Sequence, residues 1–583
     1  MKTAHIKIFF IAFCSWINFT ASAQQHRLNL ALLEQEKVEM KQITVVNNNS
    51  ALPITELESL RIASVDLGFS ASAVFDSLAN KYTSVDALKQ TFNPVSINRL
   101  NALNDELKLY NCIILKVNKS IGEPLENFIR ELEKSKKVVV VLTGVATTNS
   151  WNFRSVVVKS SLNTALTASC IAQLIFGGIS TNHQAIRLHY SVPESVGINR
   201  EELDSIPLIV QEAIQMKGAP GAVVMIVKDG QVIFNEAYGT HKYGGSRKTR
   251  INDIFDMASV TKLAATTNTA MQLFDAGKLS IDSPISTYIA KTREMADKKD
   301  IRVKEVLLHQ AGFYPYIKFY ERLKQGDTDT AYSAKYPTQL ADGYYLRAHY
   351  FDEVMWPEML SDRALTRGSY VYSDLSMYYM KEIVEKIAEK PLNEYVQTHF
   401  YTPLGMKRAG FLPRMRFERD EIVPTTENDG WLRSMPVQGF VNDPGAAMLG
   451  GVSGHAGFFA SANDMAILGQ MWLNQGNYGG KTYINPETLK LFTSSQSTVS
   501  RRGLGFDRKD PDPKKGYPSK LASDEVFGHT GYTGTAIWVD PKYKLVYIFL
   551  SNRVYPDDQN KSLNTLNIRA RIMDVIYSAI KKD

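Results

Sequence analysis

A serine and a lysine three residues apart, Ser259 and Lys262, place the tightest constraint on how this 583-residue chain can fold. They lie in Phe255-Asp-Met-Ala-Ser-Val-Thr-Lys-Leu-Ala-Ala-Thr-Thr267, whose apolar run predicts that a helix begins at the serine. Side chains at this spacing share one helix face, so the amine would lie beside the hydroxyl. A neighbouring base activates a serine if the lysine is desolvated enough to be partly neutral. The alternative is a helix-start serine followed by a solvated lysine.

Two later motifs favour the first interpretation. Tyr372-Ser-Asp374 comes next, and His529-Thr-Gly531 precedes the strand-like run 535–539. In this order the three motifs resemble Ser-x-x-Lys, Tyr-x-Asn and Lys-Thr-Gly of the serine β-lactamase and penicillin-binding protein superfamily. The resemblance runs from about residue 196 to the C-terminus. It is closest to the class C-like branch, which includes esterases, D-aminopeptidases and amidases.

The resemblance implies an acyl transfer on a serine. Ser259 would be the nucleophile, and Lys262 and Tyr372 would move its proton. The Tyr372 phenol would need a depressed pKa, which a Lys262 ammonium would favour; the alternative is a core tyrosine in an aromatic stretch. The backbone N–H groups of Ser259 and Tyr532 would form the oxyanion hole. The remaining motif residues would contact the substrate: Asp374, His529, Thr530 and Gly531.

Two of these residues depart from the superfamily pattern. Asp374 replaces an asparagine, so it accepts a hydrogen bond from Lys262 but donates to a substrate carbonyl only when protonated. His529 replaces the lysine, and a mostly neutral histidine attracts a carboxylate less well. The second change argues against a true β-lactamase.

One glycine-rich segment indicates which members of the superfamily the chain resembles most. It is Val441-Asn-Asp-Pro-Gly-Ala-Ala-Met-Leu-Gly-Gly-Val-Ser-Gly-His-Ala-Gly-Phe-Phe459. It does not have the strand, Gly-x-Gly-x-x-Gly and helix order of a dinucleotide loop. It resembles a segment of amidases related to N-acetylmuramoyl-L-alanine amidase, which remove the peptide from muramic acid. Asp443 and His455 would line the cleft of such an enzyme or hold the loop by hydrogen bonds.

The first 23 residues have the parts of a secretory signal peptide. Lys2 and Lys7 precede a mostly apolar run that is too short to span a bilayer, and Ala21-Ser-Ala23 gives a small-x-small cleavage site. The chain is therefore expected to be exported, as a periplasmic or secreted protein, with a lipoprotein attached through Cys14 as the alternative. Removing both lysines lowers the formal net charge from +7 to +5, which does not suggest a nucleic-acid partner.

Residues 24–195 predict a doubly wound α/β domain, because helical patterns separate continuous apolar runs. The predicted strands are 43–46, 61–65, 112–117 and 138–142, and 124–135 is a predicted helix. The sequence at 43–53, 138–144 and 172–178 resembles that of the second, sandwich-like domain of family 3 glycoside hydrolases. That family carries its sugar chemistry largely on a preceding barrel, for which there is no room here, so no glycosidase activity is expected. A scaffold, a dimerisation surface or a sugar-binding remnant remain as roles.

Residues 196–583, after a linker at 188–197, are predicted to form the β-lactamase-like domain: an antiparallel sheet flanked by helices, with a helical subdomain. A helix over 201–216 leads to a hairpin, 222–227 and 232–237, turned at Asp229-Gly230. The runs 535–539 and 545–551 are predicted as edge-side strands, and the last helix, over 564–581, as packing across the sheet.

Other residues are given structural interpretations. Cys112 and Cys170 lie in apolar runs and are read as buried thiols, with a disulfide as the alternative. His309 is expected to cap or pack a helix end rather than to catalyse. The aromatic stretch 313–368 is either core or cleft wall, and the charged, proline-rich run 501–520 is predicted to be a solvated insertion, with a carboxylate-binding role open for Arg501 or Arg502.

The combined prediction is an exported serine hydrolase acting on a muropeptide amide bond or another small substrate. No cofactor is expected, and with no spaced Cys/His cluster no metal site is expected. The alternatives are a broad-specificity esterase, a D-aminopeptidase or penicillin-binding enzyme, and a catalytically inactive glycan-binding protein. The oligomeric state is left open.

Overall fold

The structure is a computed structural model that describes residues 23–47, 51–89, 97–118, 121–144, 154–180 and 185–580. It divides into two compact units, Met1–Glu201 with Thr402–Lys407, and Glu202–Tyr401 with Arg408–Asp583. The predicted signal peptide, including Cys14, lies outside the described residues except for Ala23. Nowhere in the described part of the chain is a helix both long and apolar enough to cross a bilayer.

The described strands are, in chain order, β1 Thr44–Val46, β2 Ile62–Leu67, β3 Val85–Lys89, β4 Cys112–Val117, β5 Lys137–Thr143, β6 Val156–Ser160, β7 His189–Tyr190, β8 Gly221–Lys228, β9 Gln231–Gly239, β10 Phe255–Asp256, β11 Thr328–Asp329, β12 Thr338–Ala341, β13 Tyr344–Leu346, β14 Phe459–Ala460, β15 Asn477–Tyr478, β16 Lys481–Thr482, β17 Asp507–Arg508, β18 Phe527–Thr530, β19 Ala536–Asp540 and β20 Leu545–Ser551.

The described α-helices are α1 23–41, α2 Ser72–Ala79, α3 Ile97–Glu106, α4 Glu123–Leu132, α5 Ala165–Phe176, α6 Ser205–Gln215, α7 Asn268–Asp275, α8 Val303–Leu307, α9 Trp356–Ser361, α10 Leu375–Ala388, α11 Leu392–Val396, α12 Thr402–Leu404, α13 Pro444–Met448, α14 Ala462–Leu473, α15 Pro486–Thr493, α16 Ser562–Thr565 and α17 Ile568–Ile580.

The first unit contains a sheet of order β1-β6-β5-β4-β2-β3, in which β2 to β6 run parallel. Alternate residues of β4 face opposite sides: Ile114 packs in a cluster with α2 and α5, and Ile113 packs in one with α3 and α4. Helices therefore cover both faces, which explains why the strands read as continuous apolar runs. The predicted doubly wound α/β architecture is confirmed.

Strand β1 differs from its prediction. It pairs antiparallel with β6 at the edge of the sheet, and Val46 is exposed. The apolar run 43–46 predicts a strand buried on both faces, but a strand at the edge of a sheet needs only one covered face.

The two cysteines that the structure describes in the first unit are free and buried, as predicted. Cys112 begins β4 and Cys170 lies in α5. Burial raises the pKa of the Cys112 thiol to about 11 and that of Cys170 to about 12.

The second unit is built on an antiparallel sheet in which β17, β18, β19, β20, β8 and β9 follow one another. The β8–β9 hairpin turns at Asp229-Gly230, both with positive φ, as the sequence predicts. Strands β19 and β20 were predicted at the edge, but β20 lies between β19 and β8 and is fully buried. Strand order depends on long-range pairing, which local patterns do not encode.

Helices cover both faces of this sheet. Val546 of β20 contacts α14, whereas the hydroxyl of the next residue, Tyr547, donates a hydrogen bond to the Arg569 carbonyl in α17 at 3.3 Å. On the α14 side, a Cβ at Gly469 would lie 2.5 Å from Val546 Cγ1 and 3.2 Å from Ile537 Cδ1. Only glycine lets the helix approach so closely. A separate helical part, in which α10 packs against α7 and α8, completes the predicted domain type.

Gly469→Ala is therefore expected to lower the free energy of unfolding by about 1–3 kcal/mol, because the added methyl group overpacks the interface of helix and sheet. Urea unfolding followed by tryptophan fluorescence measures this, since Trp472 of α14 and Trp538 of β19 are buried. Gly122→Ala is the control, because its added methyl group meets nothing closer than 3.9 Å. Equal midpoints for both variants would contradict the packing argument.

Candidate active site

Ser259 lies on a turn held in an uncommon backbone conformation. Ala258 has a φ of +45°, a left-handed value that strains a residue with a Cβ atom. The Asp256 carboxylate accepts a hydrogen bond from the Ala258 N–H at 2.9 Å and so stabilises the turn. A single 3₁₀ turn, Ala258–Val260, is followed by a π-helical segment, Lys262–Thr267, before α7 begins. The predicted helix start is thus a tight turn followed by a wide one, a feature frequent at functional sites.

The Lys262 ammonium is fully buried against the serine. Nζ donates hydrogen bonds to Ser259 Oγ at 3.0 Å, to Asp374 Oδ1 at 2.7 Å and to the His455 carbonyl at 3.4 Å. Burial opposes the charge of Lys262, but Asp374 and Tyr372 outweigh it and raise the pKa of Lys262 above its ordinary value. The amine is therefore charged at neutral pH, not partly neutral as the sequence interpretation required. It can orient the hydroxyl but cannot accept its proton.

Tyr372 lies next to this ammonium, just before α10. The centre of its ring is 5.0 Å from Lys262 Nζ and 4.8 Å from the centre of the His309 ring. His309 Nδ1 accepts a hydrogen bond from the Ser373 N–H at 3.2 Å, which fixes the backbone beside Tyr372. Burial, with help from the Arg502 charge, holds the pKa of His309 well below its ordinary value. His309 thus packs against Tyr372 and fixes the backbone beside it, in keeping with the structural role expected from the sequence.

The turn after β18 is tied to the segment before the serine. Thr533 Oγ1 donates a hydrogen bond to the Asp256 carbonyl at 2.7 Å, and Thr535 Oγ1 donates one to the Met257 carbonyl at 3.1 Å. A Cβ at Gly531 would lie 2.6 Å from the Met257 oxygen, so glycine is required for this approach. The two segments that carry the Ser259 and Tyr532 N–H groups are thereby held together.

His529 is neutral in this environment. Burial, together with the charge of Arg502, lowers the pKa of His529 to about 3. Its Nδ1 lies 2.7 Å from the Thr530 carbonyl, so Nδ1 carries the hydrogen and donates. Nε2 is then an acceptor, and it has no hydrogen-bond partner among the described residues. The side chain does not supply the positive charge of the lysine that it replaces.

The glycine-rich segment brings Asp443 and His455 to the same place. His455 Nε2 is 2.8 Å from Asp443 Oδ1, and its Nδ1 is 2.9 Å from Ser453 Oγ. One ligand atom each of Asp374, Asp443 and His455 lie within 4.8 Å of one another, which is a spacing that could hold a cation. Because the Lys262 ammonium already pairs with Asp374, a second cation is disfavoured there.

Two openings meet at Ser259. The larger is a cavity of about 750 Å³, called here the aromatic cavity. Its ring-bearing wall residues include Tyr316, Tyr320, Tyr372, Tyr378, Trp431 and Tyr532. Its carboxylates are Asp374, Asp429, Asp443, Asp557 and Asp558. The aromatic stretch 313–368 is thus cleft wall in part, through Tyr316 and Tyr320, and core in part, through the buried Tyr350 and Trp356.

The smaller opening has a volume of about 510 Å³ and is called here the basic pocket. Its cationic wall residues are Arg501, Arg502, Arg553, Lys561 and Arg569, and the 529–532 backbone borders it. The prediction of a solvated insertion from Arg501 onward is wrong at its start, because Arg502 and Asp507 are each 3% exposed. Arg501 Nε donates to Asp507 Oδ1 at 2.6 Å, and ion pairing of this kind is what permits charged residues to be buried.

Sequence reasoning missed two residues of the site. Asp256, whose pKa burial raises to about 6, also accepts a hydrogen bond from the Asn442 N–H at 2.7 Å and so joins the nucleophile turn to the glycine-rich segment. The position of Asp256 three residues before the serine is the sequence feature that could have indicated its part in the site. Arg553 lies two residues after the end of β20, and nothing in the local sequence marks it.

Comparison with known proteins places these features in a family. A family model described as Beta-lactamase matches residues 208–571. The chain is 32% identical over 383 residues to the "N-acetylmuramyl-L-alanine amidase" of Bacillus subtilis (strain 168), covering 62% of this chain and 83% of that protein. It is 29% identical over 427 residues to a "Putative D-alanyl-D-alanine carboxypeptidase" of Escherichia coli (strain K12), covering 67% of this chain and 94% of that protein.

Known structures give weaker similarity. EstCE1, a hydrolase with promiscuous acyltransferase activity, is 19% identical with a TM-score of 0.48, covering 64% of this chain and 98% of that chain. A penicillin-binding protein homologue from Caulobacter crescentus is 18% identical with a TM-score of 0.47, covering 65% and 98%.

Proposed function

The chain belongs to the beta-lactamase family and is a serine hydrolase, and we propose that it is an exported amidase that cleaves the bond between muramic acid and its peptide through an acyl-enzyme on Ser259. The observation that carries this proposal is the position of Ser259 Oγ, 3.0 Å from Lys262 Nζ at the junction of the aromatic cavity and the basic pocket. A scissile bond at that junction joins two groups of different chemistry, as the bond between a sugar acid and a peptide does.

In the proposed mechanism, Tyr372 acts as the base. Lys262 stays protonated and orients the serine hydroxyl, with Nζ 3.0 Å from Ser259 Oγ. As Ser259 Oγ forms a bond to the amide carbon, its proton passes to Tyr372, and the Ser259 and Tyr532 N–H groups hold the oxyanion. The tetrahedral species collapses when Tyr372 returns that proton to the leaving nitrogen and the C–N bond breaks. Water then attacks the ester carbon and its proton passes to Tyr372. The bond from that carbon to Ser259 Oγ breaks as Tyr372 returns the proton to Oγ, and the acid is released.

The amidase is preferred over a general esterase for two reasons. The aromatic cavity offers ring faces and carboxylates, which suit the apolar faces and hydroxyl groups of a sugar. The glycine-rich segment that holds Asp443 and His455 resembles that of muramoyl-peptide amidases, and a relative at 32% identity bears that name.

The first unit is proposed to support this function without chemistry of its own. Its sequence resembles the second domain of family 3 glycoside hydrolases, and its role is that of a scaffold, a dimerisation surface or a sugar-binding remnant. Residues 1–23 are proposed to direct export and to be removed, so that the mature chain meets its substrate outside the cytoplasm.

The test is mass spectrometry of muropeptides after incubation with the mature protein, with Ser259→Ala in parallel. We expect loss of intact N-acetylmuramoyl-peptide and release of the free peptide by the wild type alone. Release of a terminal D-alanine instead would indicate a carboxypeptidase. Intact muropeptides together with hydrolysis of short acyl esters would indicate an esterase, and either result would overturn the amidase proposal.

A further inference from the structure

We propose that the rings of Trp431 and Tyr320 form a stacking platform that binds one pyranose ring of the substrate. The assignment of that ring to muramic acid rests on the proposed function, in which the sugar carries the acyl group. The platform itself rests on the exposure, the geometry and the support of the two side chains.

The aromatic cavity collects exposed rings. Of the five tyrosine and tryptophan side chains that are exposed in the described chain, Tyr316, Trp431 and Tyr532 line this cavity. Trp431 is 44% exposed, although an indole is among the largest apolar groups in proteins. Apolar rings gathered around a concave site are typical of a surface that a ligand covers.

Trp431 and Tyr320 meet at an angle in the wall of this cavity. Their ring centres are 6.2 Å apart, and the two ring planes are inclined by 54°. Planes at this inclination form an open wedge rather than a closed stack, so ring surface is left for a third group. A pyranose ring fits such a wedge, because its C–H face packs on one ring while its hydroxyl groups point outward from the edge.

The turn that carries Trp431 is held by a buried ion pair. The Trp431 N–H donates to Asp429 Oδ1 at 3.1 Å, and Arg433 Nε donates to Asp429 Oδ2. Both partners are buried, and Arg433 also donates to the Val441 carbonyl at 2.8 Å and to the Asn442 carbonyl at 2.7 Å. The backbone of the indole is thereby fixed relative to the glycine-rich segment, so little freedom is lost when a ligand binds.

Tyr320 is supported by a row of buried rings. Its neighbour Phe319 is 1% exposed, and the centre of the Phe319 ring is 6.2 Å from that of Tyr378. The Tyr378 ring in turn lies 4.6 Å from the His455 ring, and the His455 carbonyl accepts a hydrogen bond from Lys262 at 3.4 Å. Both rings of the platform are therefore linked by packed groups to the catalytic centre, as the positioning of a substrate requires.

The polar groups of the cavity favour a sugar over other flat ligands. Its five carboxylates repel the phosphate of a nucleotide or of a lipid headgroup. They can accept hydrogen bonds from hydroxyl groups: Asp557 Oδ1 accepts one from the Gln559 N–H at 2.9 Å, whereas a carboxylate can accept about four. A neutral ring with an apolar face and several hydroxyl groups matches both the rings and the carboxylates.

The experiment compares two neutral ligands that differ in having a ring: N-acetyl-D-glucosamine and its ring-opened alcohol, N-acetyl-D-glucosaminitol. NMR titration of the mature protein gives a dissociation constant for each, and the measured quantity is their ratio. We expect the wild type to bind the ring form about tenfold or more tightly, which is the usual effect of stacking on one aromatic side chain. The ratio should fall to within about threefold of unity in Trp431→Ala and stay near the wild-type value in Trp431→Phe, which keeps an aromatic face.

Tyr332→Ala is the matched control, because Tyr332 is 70% exposed and lies in neither opening. It should keep the wild-type ratio. A ratio near unity in the wild type, or a ring preference retained in Trp431→Ala, would overturn the platform. Tighter binding of N-acetyl-L-tyrosinamide than of N-acetyl-D-glucosamine would also overturn it, because the rings would then serve an aromatic side chain of a peptide.

A second comparison tests the assignment to muramic acid. In Ser259→Ala, which cannot form the acyl-enzyme, N-acetylmuramoyl-L-alanyl-D-isoglutamine should bind about tenfold or more tightly than L-alanyl-D-isoglutamine. Adding Trp431→Ala should remove this difference. A ring preference for N-acetyl-D-glucosamine without this difference would overturn the assignment and leave the platform to another sugar. Because none of these measurements requires turnover, failure of the amidase proposal and failure of the platform give different results.

Discussion

Ser259→Ala is expected to lower kcat for ester and amide substrates by roughly 10⁴-fold or more, because it removes the atom that forms the acyl-enzyme. The fold should be unaffected, since the hydroxyl accepts one hydrogen bond from Lys262 on the surface of the site. The measurement is the initial rate with a good ester, together with covalent labelling by a fluorophosphonate, which the variant should lose. Circular dichroism and the thermal midpoint should match the wild type.

Ser361→Ala is the matched control, because Ser361 is exposed and lies in neither opening. It should keep both the rate and the labelling. If Ser259→Ala retained activity within about tenfold of the wild type, the nucleophile would be another residue. If the folded wild type failed to label and to turn over any ester, the chain would be the inactive glycan-binding alternative.

Tyr372→Phe is expected to lower kcat by roughly 10²–10⁴-fold, the usual contribution of a general base. The substitution keeps the ring that packs against His309 and removes the hydroxyl, so the loss should appear in kcat more than in KM. The size of this loss depends on whether Lys262 is charged, because a neutral amine could take the proton in place of Tyr372. Because Asp374 raises the pKa of that amine, we expect that Lys262 does not replace the missing base.

Tyr395→Phe provides the control for the loss of a tyrosine hydroxyl. Its hydroxyl donates to Gln272 Oε1 at 3.1 Å, away from both openings. It should retain the wild-type kcat. Equal rates for Tyr372→Phe and the wild type would mean that Lys262, despite its environment, accepts the proton.

Local spacing predicts one contact of the site, and the order of the motifs predicts another. Ser259 and Lys262 are three residues apart, which is about one helical turn. Their side chains therefore meet whether the turn is α-helical, 3₁₀ or π-helical. Asp374 reaches Lys262 across 112 positions of sequence, and this contact came from the motif order of a known superfamily rather than from periodicity. The strands β2, β4 and β5 were predictable because burial on both faces leaves a continuous apolar run.

The errors share a physical cause, which is compensation by distant partners. The sequence predicts Arg502 and Asp507 to be solvated, because an isolated charged side chain is normally exposed to water. In the structure both are buried, since they pair with each other and Arg502 also packs against the Tyr372 ring. The central place of β20 depends on its pairing with β8, more than 300 residues earlier. The protonation of Lys262 likewise depends on Asp374, so its charge could not be read from the Ser-x-x-Lys motif alone.

The buried thiols of the first unit give the chain a second, independent reporter of unfolding. The described tryptophans, Trp356, Trp431, Trp472 and Trp538, all belong to the second unit, whereas Cys112 and Cys170 belong to the first. A thiolate is the reactive form, and burial both raises the thiol pKa and blocks access, so alkylation must await local opening of the β4 or α5 region. Alkylation rates at Cys112 and Cys170 thus report local opening of the first unit in the unmodified molecule.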